Sequence, residues 1–369
     1  MMLIYKNLCL LILIGVCALP LGAAETSRTR GKPLNWEWKK EEIKELKGLL
    51  KKVTKNDDGS FSLETDNWRV HTWHTPLFTA QAGKYMELFT AVFNKAFMLK
   101  GDRGFKDFKP ELSVYANRKM YLEKSNGDEW SLGLCVSQWD STGAVQITLH
   151  TYYEHNSKKD GKEPVFGTKV PLNTIQHEGT HCLLQCVYGP MKIPYWLNEG
   201  AATYYEAWPL RAKISDDGES KEDIKARATR RTFSSRPWEM REYFNQNKKS
   251  DLPHLDKLVT ANSREEFYCD NGGKLTLLNY DMASSFIDFL MSSRKRRPFM
   301  LSLLERIRER RGECSPANPW INDAELQEYE EQWLRFVIGN WGVKFDMNKI
   351  KERARELRAR GKAINTKEK

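Results

Sequence analysis

The sequence predicts an α+β protein, with a β-sheet in the first half of the chain and helices in the second. Five short segments rich in β-branched and aromatic residues lie between residues 61 and 153, and turn residues separate them. From Glu206 onward the pattern is mostly helical. Strands first and helices later are typical of the α+β class, so we expect a domain with a mixed β-sheet, followed by a mainly helical lobe.

Each predicted element has its own local pattern. The strand candidates are Phe61–Leu63, Trp68–Trp73, Leu112–Tyr115, Trp130–Val136 and Ala144–Tyr153, with the clearest alternation in the last. The helix candidates are Asn35–Asp58, with Ile43, Leu46, Leu50 and Val53 spaced as a buried stripe, then Thr79–Leu99, Pro171–Val187, Tyr195–Trp208 and Asp281–Ser292.

The amino terminus has the pattern of a secretory signal peptide. Lys6 precedes an uncharged stretch that ends in small residues near Ala24, which predicts cleavage there. An uncleaved membrane anchor is the alternative. We therefore expect an extracytoplasmic protein, periplasmic or secreted. The predicted organisation is a signal peptide (1–24), a charged helix and linker (25–60), a catalytic lobe (61–210), a helical lobe (211–345) and a basic tail (346–369).

Cysteine usage is compatible with an oxidising compartment. Five cysteines remain after the predicted signal peptide: Cys135, Cys182, Cys186, Cys269 and Cys314. An odd number leaves at least one thiol outside any intramolecular disulfide, and sequence alone does not decide the pairing. Helical spacing places Cys182 and Cys186 on an apolar face, so we interpret these two as small core residues.

The chain is basic, with a formal net charge of +10. The segment from Lys344 to Lys369 holds ten basic and four acidic residues. Such a tail is by default a solvated helix, and it also favours weak attraction to anionic surfaces. It has no nucleic-acid-binding module and no interleaved aromatic residues, so we expect no specific nucleic-acid partner. The oligomeric state is left open.

The most informative motif is His177-Glu178-Gly179-Thr180-His181, on a predicted helix that Gly189-Pro190 ends. Two histidines four residues apart lie on one face of a helix, and both can reach one zinc ion. Glu199, near the start of the next predicted helix, offers a carboxylate as a third ligand. Two histidines and a glutamate leave the fourth zinc position open, which indicates a hydrolytic site rather than a closed structural one.

These residues resemble a known group. The His-Glu-x-x-His pentapeptide with the downstream Trp196-Leu197-Asn198-Glu199-Gly200 is similar to the gluzincin zinc metallopeptidases, the thermolysin- and aminopeptidase-like clan, and most to secreted bacterial proteins of the peptidase MA-like kind. The resemblance implies a zincin-like catalytic domain, His177, His181 and Glu199 as Zn²⁺ ligands, and Glu178 as the general base. It also departs from the clan's aminopeptidases: Gly143-Ala144-Val145-Gln146-Ile147 lacks their amino-terminus-binding Glu and Asn.

Three further residues are candidates for roles at the site. Tyr280 could donate its hydroxyl to a reaction oxyanion, as tyrosines in this clan do, or pack in the core. Gln146 and Thr148 lie on the segment that we expect to be an edge strand beside the zinc, where an extended peptide could pair with the backbone. The alternative is that this segment is a fully paired central strand.

Two functions from different classes are compatible with the sequence. The first is a secreted zinc-dependent peptidase, with Glu178 deprotonating water, and with endopeptidase action on a peptide or protein substrate because the amino-terminus anchor is absent. The second is a non-catalytic cell-envelope binding protein that keeps a zinc-stabilised gluzincin fold. The presence of Glu178 favours the first, since a structural site needs no base.

Overall fold

The computed structural model describes residues 36–97, 108–127, 129, 131–140, 143–155, 163–167, 171–189, 193–212, 219–246, 253–261, 263–268, 278–310 and 319–365. These residues form two compact units, one up to Gly189 and one from Ile193. The division falls inside the predicted catalytic lobe of residues 61–210. The predicted signal peptide at residues 1–24 lies outside the described residues.

The first unit contains six described strands and four described helices. The strands are β1 (Thr54–Lys55), β2 (Phe61–Glu64), β3 (Arg69–Thr72), β4 (Glu111–Tyr115), β5 (Gly133–Asp140) and β6 (Gly143–Tyr152). The helices are α1 (Lys40–Leu50), α2 (Pro76–Ala96), α3 (Arg118–Ser125) and α4 (Leu172–Tyr188). The α+β class that the sequence predicts is therefore confirmed.

The six strands form one mixed sheet in the order β1-β2-β3-β4-β6-β5. β1, β2 and β3 pair antiparallel, β4 pairs parallel with both β3 and β6, and β5 pairs antiparallel with β6. Among the described residues, β5 is thus an edge strand of the sheet. β6 lies inside the sheet, with β4 on one side and β5 on the other.

Alternation along the strands gives the sheet two different faces. One face is apolar and buried, with Leu112, Ile147 and Leu149 fully covered, and α2 and α4 pack against strands of this sheet. The opposite face carries aromatic and polar side chains: the rings of Tyr115 and His150 stack there, 5.9 Å apart. The predicted alternation of the β6 segment is confirmed for Ile147 and Leu149.

The predicted charged helix at residues 35–58 is too long at both ends. The observed α1 covers Lys40–Leu50, and Thr54–Lys55 begins the sheet. The predicted buried stripe is also wrong in part: Leu46 is buried, but Ile43 is 46 % exposed and Leu50 37 % exposed. The turn residues near Gly59 connect β1 to β2, so the local hairpin formed by these two strands replaces the end of the predicted helix.

All the described secondary-structure elements of the second unit are helices, as predicted for the chain after Glu206. Its helices are α5 (Tyr195–Tyr205), α6 (Lys221–Phe233), α7 (Arg236–Gln246), α8 (Leu255–Thr260), α9 (Arg264–Tyr268), α10 (Leu278–Met291), α11 (Arg297–Glu309), α12 (Asp323–Trp341) and α13 (Met347–Asn365).

Helix α10 is the centre of the second unit. Every residue from Tyr280 to Met291 is buried, and α10 packs against α5, α7, α8, α11 and α12. Gly200 on α5 allows one of these approaches, because a Cβ there would lie 3.0 Å from backbone atoms of Ala283. No helix in the described part of either unit is both long and apolar enough to cross a membrane.

Candidate metal centre

Helix α4 carries the two predicted histidine ligands in the first unit. It runs from Leu172 to Tyr188, within one residue of the predicted bounds at each end. His177 and His181 are buried, at 8 % and 6 % exposure. Their ring centroids are 5.0 Å apart, and they offer ligand nitrogens within 4.8 Å of each other. The predicted pairing of these rings on one helix face is therefore observed.

The burial of α4 differs from that of a surface helix. The sequence predicts an apolar face containing Ile175, Cys182 and Leu183, and all three are fully buried. However, the polar side chains of Glu178, at the border of this face, and of Thr180, outside it, are also buried. A helix buried on all sides holds its polar side chains in a low-dielectric environment, where each hydrogen bond and charge interaction is stronger than in water.

Glu178 is held by the edge strand of the sheet. Its carboxylate Oε2 accepts a hydrogen bond from the backbone N–H of Cys135 on β5, at 3.0 Å. Cys135 lies opposite Leu149 of β6, and its N–H points away from β6 towards the helix. The predicted base is thus positioned by a backbone group of a regular strand.

A glycine makes this approach of helix to strand feasible. A Cβ at Gly133 on β5 would lie 2.5 Å from Cγ2 of Thr174 and 3.1 Å from Cγ of Glu178. Any larger residue would push β5 away from α4 and lengthen the hydrogen bond between Cys135 and Glu178. The sequence motif does not include Gly133, and nothing in its local pattern distinguishes it from a turn glycine.

Glu199, the predicted third ligand, lies on α5 in the second unit and is 1 % exposed. The hydroxyl of Tyr268 on α9 donates a hydrogen bond to its Oε1, at 2.9 Å. Thr203, one turn later on α5, donates to the backbone carbonyl of Glu199 at 2.7 Å. Tyr268 is the residue that sequence reasoning missed, because α9 carries no motif and its contact with Glu199 spans 69 residues.

Tyr280 lies near Tyr268 but in a different environment. Its ring is 5.3 Å from that of Tyr268 and 5.4 Å from that of Phe267. The guanidinium of Arg236 lies 5.5 Å above the Tyr280 ring. These are the contacts of a packed core tyrosine, the alternative that the sequence left open. A hydroxyl role at the oxyanion stays a prediction.

The prediction that the 144–153 segment is an edge strand is wrong for residues 148–152, which pair with β4 as well as with β5. Thr148 pairs with Glu111 of β4 on one side and with Val136 of β5 on the other. Gln146 donates from Nε2 to Oγ1 of Thr148, at 2.9 Å, on the face of the sheet opposite to Leu149. The proposed substrate-binding role of Thr148 on an open strand edge therefore loses its structural basis. Gln146 pairs only with Gln138 of β5, and its role stays a prediction.

The error has a simple physical reason. Alternation of polar and apolar residues reveals which face of a strand is buried, but it contains no information about which strands lie on either side. β5 and β6 form a hairpin, so either could have been outermost. The parallel pairing of β4 with β6 decides the order and leaves β5 at the edge.

Burial also raises the pKa of two thiols on the motif helix, those of Cys182 and Cys186. Burial raises the pKa of the Cys182 thiol well above its usual value, and Cys135 raises it further. Burial has the same effect on the pKa of Cys186. Both cysteines are therefore protonated core residues at neutral pH, in agreement with the sequence interpretation. Cys269 and Cys314 lie outside the described residues.

A second cluster of metal-binding residue types lies within the second unit. His254, Asp256 and Glu330 bring their ligand atoms within 4.8 Å of one another. The guanidinium of Arg353 is 3.1 Å from Asp256 and 3.6 Å from Glu330. A cation in the same place would face this positive charge, so the cluster is better described as an ion-pair group that fastens α13 to α8 and α12.

No protein-family model and no curated protein matches the chain.

Proposed function

We propose that the protein is a gluzincin-type zinc peptidase, with His177, His181 and Glu199 as metal ligands and Glu178 as general base. One observation supports this most strongly. Two buried histidines lie on one helix with their ligand nitrogens within 4.8 Å, and the glutamate next to His177 is held against a strand edge by a backbone amide.

The donor set fits zinc. Neutral imidazole nitrogens and a carboxylate oxygen are ligands that zinc prefers, and a set of two histidines and one glutamate leaves a coordination position open. When bound, zinc supplies Lewis acidity, which lowers the pKa of water to about 7 and polarises a carbonyl oxygen.

Glu178 would move the proton in this reaction. With Oε2 fixed by the amide of Cys135, we assign Oε1 to accept the proton of the attacking water. The same oxygen would return that proton to the leaving amine nitrogen. The amide donor is neutral, so it orients the carboxylate without adding a positive charge that would compete for the proton.

The unpaired edge of strand β5 indicates which substrates the proposed peptidase would bind. Among the described residues no strand pairs with the outer side of β5. An extended peptide could add to this edge by backbone hydrogen bonds, which bind a substrate with little dependence on its side chains. We therefore infer endopeptidase action on extended or unfolded segments, with proline near the scissile bond weakening cleavage because it lacks a donor.

A second candidate function is favoured by the burial of α4. His177 and His181 are only 8 % and 6 % exposed. A zinc ion held by such buried side chains could stabilise the fold of a non-catalytic binding protein in the cell envelope. Structural zinc sites are normally closed by a fourth protein ligand and need no base. Removal of the Glu178 charge therefore separates the two functions.

The decisive experiment compares Glu178→Gln with wild type on unfolded casein and on a quenched-peptide library. The variant is expected to keep one zinc per chain and the wild-type circular dichroism spectrum while hydrolysis falls about 10²–10⁴-fold. Glu123→Gln, an exposed position on α3, is the matched control and should retain the full rate. Equal rates for wild type and Glu178→Gln would remove Glu178 from the mechanism.

The proposed function includes export. The pattern of residues 1–24 is that of a secretory signal peptide, so we propose that the mature chain begins at Glu25 outside the cytoplasm. Amino-terminal sequencing of protein recovered from the periplasm or the medium is expected to start there. Recovery of the uncleaved chain in the membrane fraction would support the alternative of an anchor.

A further inference from the structure

Three buried thiols lie where α4 meets the edge strand β5. Cys135 is on β5, whereas Cys182 and Cys186 are on α4, one turn apart, and all three are free thiols in the structure. The Sγ atoms of Cys135 and Cys182 are 3.1 Å apart. The sulfur–sulfur bond of a disulfide is about 2.05 Å long, so a further approach of about 1 Å would join them.

Cys135 contacts α4 at two points. Its backbone N–H donates to Glu178, and its Sγ meets that of Cys182. Glu178 and Cys182 are four residues apart, and side chains with this spacing lie on the same face of a helix. The residue that orients the predicted base is therefore also the residue that can be linked to the helix carrying that base.

We propose that Cys135 and Cys182 form a disulfide that covalently joins the edge strand to the metal-binding helix. The bond forms by thiol–disulfide exchange with a low-molecular-weight disulfide such as oxidised glutathione. The Cys135–Cys182 sulfur–sulfur bond forms, the sulfur–sulfur bond of the reagent breaks, and two reduced glutathione molecules leave with the two thiol protons. Cys186 remains a thiol.

A soft-metal site is a weaker interpretation of the three thiols. A metal ion would need three ligand atoms close to one another. Of the described residues, the groups that meet this condition contain histidines and carboxylates but no cysteine. Among the three described thiols, only Cys135 and Cys182 have their sulfur atoms in contact, which favours one covalent bond over shared coordination.

The disulfide would close a loop between positions 47 apart in sequence. Such a loop restricts the unfolded chain, which stabilises the folded one. The bond would also keep the amide of Cys135 within hydrogen-bonding distance of Glu178 when β5 moves. This last consequence rests on the proposed function, whereas the disulfide itself does not.

Mass spectrometry tests the proposal on the full chain. Native protein is incubated with oxidised glutathione, alkylated and digested with trypsin without reduction. The expected product is a cross-link between the peptides of residues 125–158 and 170–192 that disappears on reduction. Because the second peptide contains both Cys182 and Cys186, the Cys186→Ser variant assigns the bond: it should keep the cross-link, and Cys182→Ser should lose it.

Thermal unfolding gives a second readout, first on the wild type in its oxidised and reduced forms and then on two variants. The oxidised wild type should unfold at a temperature on the order of 5 °C higher than the dithiothreitol-treated protein. Cys186→Ser should keep this difference and Cys135→Ser should abolish it. Full alkylation of Cys135 and Cys182 after oxidation, or pairing of either with Cys186, Cys269 or Cys314, would overturn the proposal. Neither readout uses zinc or substrate, so failure here is distinguishable from failure of the peptidase assignment.

Discussion

Buried carboxylates are held in two different ways in this molecule. In the first unit, Glu178 accepts a hydrogen bond from a backbone amide. In the second unit, Asp288 on α10 accepts from the guanidinium groups of Arg230 and Arg231, at 2.8 and 2.7 Å. Both carboxylates are almost fully buried, so the difference lies in the charge of the donor.

Like Glu178, Glu199 accepts a hydrogen bond from a neutral donor, although other buried carboxylates of the second unit pair with arginines. Glu199 accepts from the neutral hydroxyl of Tyr268, whereas Glu206, two turns later at the C-cap of α5, pairs with Arg236. A guanidinium cancels the charge of a carboxylate, and a neutral donor only orients it. For the two glutamates that we assign to chemistry, these neutral donors orient the carboxylate without cancelling its charge.

The largest expected effect is on the stability of the arginine-paired region. Asp288→Asn would leave the fully buried Arg230 without its counter-ion, at a cost of about 3–5 kcal/mol in the free energy of unfolding. Urea denaturation followed by circular dichroism measures the loss. The control Glu331→Gln removes exposed pairs to Arg335 and Arg358 and should cost about 0–1 kcal/mol. Equal losses in the two variants would remove the distinction between the buried and the exposed pairs.

A smaller effect is expected where the donor is neutral. Tyr268→Phe removes one hydrogen bond to Glu199 and should weaken zinc binding about 10–100-fold without unfolding the protein. Zinc titration against a chelator of known affinity gives the change. Tyr280→Phe, in the same aromatic cluster, is the control. It should bind zinc like wild type, and a fall in its hydrolysis rate alone would support the oxyanion role. Wild-type affinity in Tyr268→Phe would show that the hydroxyl does not position the ligand.

The smallest expected effect concerns two histidines of the first unit that are not in the ligand set. Burial lowers the pKa of His74 and of His150 to about 4. An unfolded histidine titrates near 6.5, so between these values the unfolded chain binds more protons. The stability from the neutral rings is therefore complete above about pH 6.5 and is lost as pH falls towards 4.

A variant isolates the contribution of His150, whose Nδ1 shares a hydrogen bond with the hydroxyl of Tyr115. His150→Gln keeps an acceptor and should reduce the loss of unfolding free energy between pH 7 and pH 4.5 by on the order of 1 kcal/mol. Urea midpoints at several pH values, measured in a chelator, provide the comparison. The same slope in His150→Gln and wild type would contradict this origin of acid sensitivity.

Local patterns were sufficient to predict α4 and the position of the motif on it. The spacing of apolar residues and the stop at Gly189 depend only on neighbours in sequence, and the observed bounds agree within one residue. Helix α5 begins at Tyr195 as predicted, but it ends at Tyr205, three residues before the predicted end at Trp208. His177 and His181 needed no tertiary information because a helix alone brings them together.

The partners of the motif could not be predicted in this way. Cys135 reaches Glu178 across 43 residues and Tyr268 reaches Glu199 across 69. Neither residue belongs to a pattern, since each is placed by packing of a strand or a short helix against another element. The order of β5 and β6 in the sheet is nonlocal in the same sense, and for that reason the predicted edge strand was the wrong one of the two.

Zinc content tests the central assignment most directly. Metal-free protein is reconstituted with zinc, freed of excess ion and analysed by atomic absorption. The assignment predicts about one zinc per wild-type chain, nearly none in His177→Ala or His181→Ala, strongly reduced binding in Glu199→Ala, and full content in His155→Ala. Full zinc retention in both the His177→Ala and the His181→Ala proteins would contradict it.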